Sequence, residues 1–244
     1  MNGHGPYRFL VDSGTNVNLF DANLARSIGL HVTFQVDLAS ATAKTSVPGR
    51  GGHEVLLDSF QAEDQKFLFP PMDAIRSFSS GIQGELGQWS LSGFDYTINV
   101  RAKRLEIGKQ DRSGMHVPFR MINGRLAVST RLGDLILDSG TARFVLYGVK
   151  PHSSSGERRE WRTVAGSQQG DMFYVKSLTI ECQTIRLGET AAISNRDETG
   201  VDGLLPLRLF KALYVCNSEG YIIFDGVFAV AVDCNGLPID SFHR

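Results

Sequence analysis

The sequence contains no long apolar run. None of its apolar stretches approaches the roughly 18 residues that a membrane-spanning helix needs. Residues 1–6 have neither the basic region nor the apolar region of a signal peptide. The sequence as written therefore predicts a cytoplasmic protein without a membrane span. A segment lost upstream would instead allow a periplasmic or secreted protein.

The chain also lacks an excess of charge of either sign and the spacings of a metal site. With 25 basic and 26 acidic residues its net charge is −1, which argues against nucleic acid or an anionic membrane as the main partner. The six histidines are scattered without metal-ligand spacing, so we expect neither a metal nor a cofactor. No Gly-x-Ser-x-Gly sequence occurs, which disfavours a serine hydrolase of the nucleophile-elbow type.

Cysteine is scarce. Cys182, Cys216 and Cys234 form an odd set without Cys-x-x-Cys spacing. At most one disulfide can form among them, and buried free thiols are the expected state.

Glycine, in contrast, is abundant. The sequence has 26 glycines and 8 prolines among its 244 residues, and 42% of all residues are hydrophobic. No long stretch is rich in alanine, glutamate and lysine. This composition is typical of an all-β protein with many turns. The length allows one large domain or two modest ones.

One tetrapeptide occurs twice, as Asp12-Ser13-Gly14-Thr15 and as Asp138-Ser139-Gly140-Thr141. Each copy lies between two apolar runs, a pattern that predicts a buried strand, a tight loop carrying a carboxylate, and a second strand. Glycine allows the turn and brings its N–H towards the aspartate, and the hydroxyl groups are able to orient the carboxylate. A single Asp-Ser-Gly is most often a β-turn, but two extended copies indicate paired carboxylates.

A second feature repeats at a similar interval. Asp12 and Asp138 lie 126 residues apart in the sequence. Gly84 and Gly203, each in a glycine-containing apolar segment, lie 119 residues apart. Similar offsets for two features predict an internal duplication. We place an N-terminal lobe at 1–108, a polar linker at 109–114 and a C-terminal lobe at 115–244.

Local signals add detail to the N-terminal half. Residues 2–5 predict a hairpin turn and residues 6–11 its second strand, whose partner strand is missing from the sequence. Asp21 is a predicted N-cap for a helix over 22–28. Residues 39–52 predict a long hairpin, either a lid over a cleft or an ordinary surface loop.

Two further segments belong to the C-terminal half. Residues 151–170 are polar and charged, and they predict a solvated loop. Residues 227–232 are apolar, and they predict a last strand. Arg143 lies two residues after the second motif, where a cation would favour ionised carboxylates; more often such a side chain points to solvent.

Two carboxylates in contact within a partly desolvated cleft cannot both ionise, so they share one proton. The ionised group takes a proton from a bound water, and the protonated group donates to a substrate carbonyl oxygen. Attack of the activated water on a peptide carbonyl then needs no metal and no covalent intermediate.

The two motifs and the apolar-glycine segment after each resemble those of the two-lobed aspartic proteases of the pepsin and retropepsin kind, especially bacterial single-chain versions. The resemblance implies an all-β, bilobal fold of two related β-barrel-like lobes with the cleft between them. It implies Asp12 and Asp138 as the catalytic pair. Ser13 and Ser139 would supply hydroxyl bonds beneath the pair, Thr15 and Thr141 would bond its outer oxygens, and Gly14 and Gly140 complete the loops. Pro206 and Glu85 depart from the family pattern.

The first hypothesis is thus a monomeric aspartic endopeptidase that acts on an extended polypeptide substrate. The alternative is a catalytically inactive protein of the same scaffold that binds peptides or proteins. A one-lobe enzyme working as a homodimer is disfavoured, because this monomer already contains both motifs.

Overall fold

The computed structural model describes residues 1–39, 44–57, 60–76, 80–150, 157–163, 166–193 and 200–226. The chain divides into two compact units. The first unit is Met1–Gly93 with Arg158–Gly170, and the second is Phe94–Glu157 with Asp171–Arg244. Strands predominate in both units, so the predicted all-β class is confirmed. The placement of the lobes and linker at 1–108, 109–114 and 115–244 stays a prediction.

The first unit contains a six-stranded sheet of order β1-β6-β2-β5-β4-β3 and three short helices. Its strands are β1 (Phe9–Val11), β2 (Leu19–Phe20), β3 (Phe34–Ala39), β4 (Lys44–Leu57), β5 (Phe60–Leu68) and β6 (Gly84–Leu86). Its helices are α1 (Ala22–Ser27), α2 (Asp73–Arg76) and α3 (Gln88–Leu91).

The remaining strands form two sheets, one of order β10-β11-β12-β17-β13-β16-β15-β14 and one of order β8-β7-β18-β19-β9. The strands from β7 to β13 are Tyr96–Asn99, Arg104–Ile107, Val117–Pro118, Arg120–Ile122, Arg125–Thr130, Gly133–Asp138 and Phe144–Tyr147. Those from β14 to β19 are Arg158–Thr163, Gly166–Ile180, Gln183–Ile193, Gly203–Pro206, Ala212–Cys216 and Tyr221–Asp225, with a 3-10 helix at Leu207–Leu209.

Both faces of the sheet in the first unit are packed. Leu19 and Phe20 follow each other on β2, and they therefore point to opposite faces. Leu19 packs with Val17, Val47, Leu68 and Met72, and the half-buried Trp89 lies against this cluster. Phe20 packs with Ala25, Val55, Phe67, Phe69 and Leu86. β2 is thus buried on both sides.

Helix α1 begins where the sequence predicts it. The Asp21 carboxylate accepts a hydrogen bond from the Leu24 N–H at 2.9 Å, which satisfies one of the N–H groups left free at a helix start. The helix ends at Ser27, and Gly29 adopts a φ of 73°, a conformation that costs glycine little. The other oxygen of Asp21 forms an ion pair with Arg76 at 2.6 Å.

Two predicted loops are largely strand. β4 begins at Lys44 and pairs antiparallel with both β3 and β5. The hairpin predicted over residues 39–52 is therefore present, whereas the alternative of an ordinary surface loop is wrong from residue 44 onwards. Residues 158–163 and 166–170, predicted as solvated loop, lie in β14 and β15. Strands gain backbone hydrogen bonds from neighbouring strands that composition does not reveal. Three segments lie outside the described residues: 40–43 at the tip of the predicted lid, 151–156, and the predicted strand at 227–232.

The thiol prediction is confirmed for one cysteine and wrong for another. Cys216 is free and fully buried on β18. Cys182 is disulfide-bonded. Cys234 lies outside the described residues. Sequence spacing alone does not bring two distant cysteines within bonding reach, because the pairing depends on the fold.

Candidate functional site

The Asp12 loop is built around a strand that passes between its two flanking strands. β6 pairs in parallel with β1, with Phe9 opposite Gly84 and Val11 opposite Leu86. The same β6 pairs antiparallel with β2. The Asp12 N–H donates to the Leu86 carbonyl at 2.9 Å, which ties the start of the loop to the end of the crossing strand.

The Asp138 loop has the same construction in the second unit. β17 pairs in parallel with β12, so that Leu135 lies opposite Gly203 and Asp138 opposite Pro206. The same β17 pairs antiparallel with β13. The paired positions in the two units are separated by the offsets of 126 and 119 residues that the sequence shows. Each unit therefore contains one copy of the same crossed arrangement.

A matching pair of hydrogen bonds fixes the crossing strand in each unit. In the first unit the Arg8 N–H donates to Gln83 Oε1 at 3.1 Å, and the Gln83 N–H donates to the Arg8 carbonyl at 2.8 Å. In the second, the Asp134 N–H donates to Asp202 Oδ2 and the Asp202 N–H to the Asp134 carbonyl, both at 2.9 Å. Glutamine and aspartate thus perform the same task in the two copies.

The crossing requires glycine where the backbones approach most closely. A Cβ atom on Gly84 would lie 2.1 Å from a ring carbon of Phe9 and 2.7 Å from the Leu19 carbonyl oxygen. A Cβ atom on Gly203 would lie 2.2 Å from the Val145 carbonyl oxygen. All three distances are shorter than any van der Waals contact, so a side chain forces the strands apart.

Asp12 follows β1 directly and lies half-buried at its end. The Gly14 N–H donates to Asp12 Oδ1 at 2.8 Å, as the motif predicts. Ser13, between them, is fully buried. Backbone donors of this kind favour the ionised carboxylate.

Asp138 is the last residue of β12 and is 8% exposed. Its Oδ1 accepts hydrogen bonds from the N–H groups of Gly140 at 2.7 Å and Thr141 at 2.8 Å. The Thr141 hydroxyl donates to the Arg143 carbonyl at 3.3 Å, so this threonine reaches the carboxylate through its backbone rather than its hydroxyl. The roles predicted for the hydroxyls of Ser13, Thr15 and Ser139 stay predictions.

Gln88 supports the Asp12 loop, and the motifs do not reveal it. Its Nε2 donates to the Ser13 carbonyl at 3.0 Å, and its backbone N–H donates to the Thr15 carbonyl at 3.0 Å. Gln88 opens α3, a helix of four residues that is too short to give a periodic signal in the sequence.

Asn18 is a second support that sequence reasoning missed. It is fully buried; its Oδ1 accepts from the Gly87 N–H at 3.0 Å, and its Nδ2 donates to the Lys66 carbonyl at 2.9 Å. At the matching positions of the second unit stand Phe144 and Pro206. Proline has no N–H to donate, and Phe144, the counterpart of Asn18, has no polar side-chain atom to accept one. If the two halves are aligned at their offsets, a polar residue at position 18 stands against an apolar one at position 144, and this difference would have singled out Asn18.

Arg143 forms an ion pair with Glu189. The strand register places the two side by side, because Phe144 lies opposite Thr190 on β16. The guanidinium, about one third exposed, thus has a carboxylate beside it that offsets its charge.

Within the described part of the chain, no group of three or more histidine, cysteine, aspartate and glutamate side chains could hold a metal ion. Among the described helices, none has the length and apolarity to cross a membrane.

Comparison with known proteins agrees with the resemblance seen in the motifs. Residues 1–88, which contain the first motif, the crossing strand and Gln88, match a family model described as aspartyl protease. No curated protein matches the chain. The resemblance to the aspartic proteases is thereby confirmed through this N-terminal match, and it supports protease function in general.

Proposed function

We propose that the protein is an aspartic endopeptidase in which Asp12 and Asp138 form the catalytic pair. The observation that carries the proposal is the duplication: an Asp-Ser-Gly-Thr loop ends the first strand of the same crossed arrangement in each unit. In each loop a glycine N–H holds the aspartate carboxylate. The aspartyl protease match over residues 1–88 supports the same class of reaction.

In the proposed mechanism the two carboxylates share one proton, as the paired aspartates of aspartic proteases do. The ionised member takes a proton from the water that attacks the peptide carbonyl, and the protonated member donates to the carbonyl oxygen. Collapse of the tetrahedral intermediate breaks the C–N bond, with the proton passing to the leaving amine. The substrate is an extended polypeptide held by main-chain hydrogen bonds, and the enzyme acts as a monomer.

The alternative is an inactive protein that uses the same scaffold to bind peptides. One argument for it is Arg143, whose charge would hold both carboxylates ionised and prevent proton sharing. The ion pair with Glu189 weakens that argument, since the nearby carboxylate offsets the cation. Both motifs are intact in sequence, which favours the enzyme.

The test is a pH–rate profile for cleavage of an unfolded protein, with the wild type beside Asp12→Asn and Asp138→Asn. Asp111→Asn serves as the matched control, because Asp111 is exposed and outside both motifs. Circular dichroism verifies that each variant folds.

We expect both motif variants to lose activity by roughly 100- to 10,000-fold or more, as for removal of an acid–base group. The Asp111 variant should keep wild-type rates, and a statine-type transition-state mimic should inhibit. A well-folded wild type without activity at any pH would refute the enzyme proposal and leave the binding alternative.

A further inference from the structure

The Asp12 carboxylate and the Gln88 side chain lie at the two ends of one peptide group. The peptide between Ser13 and Gly14 accepts a hydrogen bond from Gln88 Nε2 at its carbonyl oxygen, at 3.0 Å. The N–H of that same peptide donates to Asp12 Oδ1 at 2.8 Å. Because the peptide group is planar, an anchor on its oxygen also fixes the direction of its N–H.

We propose that Gln88 is a positioning residue for Asp12, acting through the Ser13–Gly14 peptide. The proposal rests on the proposed function, in which Asp12 is one of the two catalytic carboxylates. Hydrogen bonds in a chain polarise one another, so the bond to Ser13 also strengthens the donor that faces the carboxylate.

Stability alone does not explain a glutamine at this position. Gln88 is 2% exposed, and its Oε1 is buried without a hydrogen-bond partner within the described part of the chain. An unsatisfied buried acceptor destabilises a fold. The matching position of the second unit is Leu207, which is 1% exposed and has no such group. The scaffold therefore accepts an apolar residue here, and the glutamine occurs in the unit where its side-chain N–H reaches the motif.

Two variants separate the side-chain donor from the bulk of the side chain. Gln88→Met keeps the length and removes the donor. Gln88→Glu has an O–H donor while it is protonated, and it loses that donor when it ionises. Glutamine, methionine and glutamate can all donate the backbone hydrogen bond from residue 88 to the Thr15 carbonyl, so the variants differ from the wild type only in the side chain.

The control is Ser90→Ala on the same helix. Ser90 is buried, and its hydroxyl donates to Gln65 Oε1 at 2.6 Å. The change thus removes one side-chain hydrogen bond from α3 while the bonds to the Asp12 loop remain.

The measurement is the titration of the Asp12 carboxyl carbon by NMR, assigned by loss of the signal in Asp12→Asn, together with the pH–rate profile. We expect Gln88→Met to raise the Asp12 midpoint and the acidic limb of kcat/KM by roughly one pH unit. Gln88→Glu should keep activity at low pH and lose it as the glutamate ionises. Ser90→Ala should leave both curves in place.

A folded Gln88→Met variant whose Asp12 midpoint matches the wild type would overturn the proposal. The NMR titration does not depend on turnover, so the two proposals fail separately. A shifted midpoint in a protein without peptidase activity would refute the proposed function and support the positioning role.

Discussion

The crossing of β6 between β1 and β2 makes a sharp prediction for Gly84→Ala. The added methyl group would lie 2.1 Å from Phe9 Cε1 and 2.7 Å from the Leu19 carbonyl oxygen. The Phe9 ring is able to turn, but the carbonyl belongs to the backbone of β2, which is buried on both faces. The strand itself must therefore shift.

Overpacking of a close-packed core usually costs about 1–3 kcal/mol. We expect Gly84→Ala to fall at the upper end, about 3 kcal/mol, because the clash involves backbone. Loss of glycine's freedom in the unfolded chain opposes this by about 0.4–1 kcal/mol. The net loss is then about 2–2.6 kcal/mol. For a chain of this size each kcal/mol corresponds to roughly 2–4 °C in Tm, so Tm should fall by roughly 4–10 °C.

Gly93→Ala is the matched control, since the nearest atom to its Cβ would be the Ser90 carbonyl oxygen at an ordinary 3.5 Å. Thermal and urea unfolding, followed by circular dichroism, measure both variants. If Gly84→Ala and Gly93→Ala agree within about 0.5 kcal/mol, the argument that the crossing demands glycine is refuted.

Three further changes test other parts of the structure. Asp21→Ala removes both the N-cap of α1 and the ion-pair partner of Arg76, so it should lower the free energy of unfolding, measured by urea titration, by about 2 kcal/mol. Asp21→Asn keeps the cap and should lose less stability in the same titration. Burial acts to raise the pKa of Asp95, but hydrogen bonds from the Ser218 N–H and hydroxyl outweigh it and lower that pKa. The ionised Asp95 therefore stabilises the folded protein at pH values above its unfolded-state pKa, near 4, and this stabilisation is lost as the pH falls below that value. An Asp95→Asn variant whose free energy of unfolding has the same pH dependence as the wild type between pH 6 and 3 would contradict this. Burial, with the charges of Arg50 and the N-terminal amine, lowers the pKa of His53, so stability should decrease as pH falls below about 6.5, and His53→Phe should flatten that dependence in thermal scans at pH 5 and 7.

Much of the fold was predictable because its strongest signals are local or repeated. Alternating apolar runs and two identical loops indicate an all-β protein with an internal duplication, and the carboxylate of Asp21 marks the start of α1. The hydrogen bonds of Gly14 and Gly140 to the aspartates follow from the motif itself. These features need only neighbouring residues.

The features that the sequence did not reveal depend on distant neighbours. β4 contains Gly49, which composition assigns to a loop; in the sheet a Cβ there would lie 2.5 Å from Phe34 and 2.7 Å from Leu68, so glycine belongs to the strand for reasons of packing. His53 is fully buried, with Nδ1 beside Asn2 Nδ2 at 3.0 Å and Nε2 without a partner within the described residues. That contact joins residues 51 positions apart.

The exchange of Asn18 and Gly87 for Phe144 and Pro206 bears on how the two halves diverged. Proline at position 87 alone would leave the buried Asn18 Oδ1 without its hydrogen-bond donor. An apolar residue at position 18 alone would leave the Gly87 N–H without its acceptor. Each single step is therefore unfavourable. The joint step removes the donor and its acceptor together, but it also takes Asn18 Nδ2 from the Lys66 carbonyl, and a Cβ at position 87 would lie 2.2 Å from the Val17 carbonyl oxygen, so the backbone around the crossing must change as well. The two crossings are therefore not interchangeable residue by residue: moving either pair into the other unit requires its supporting contacts to move with it.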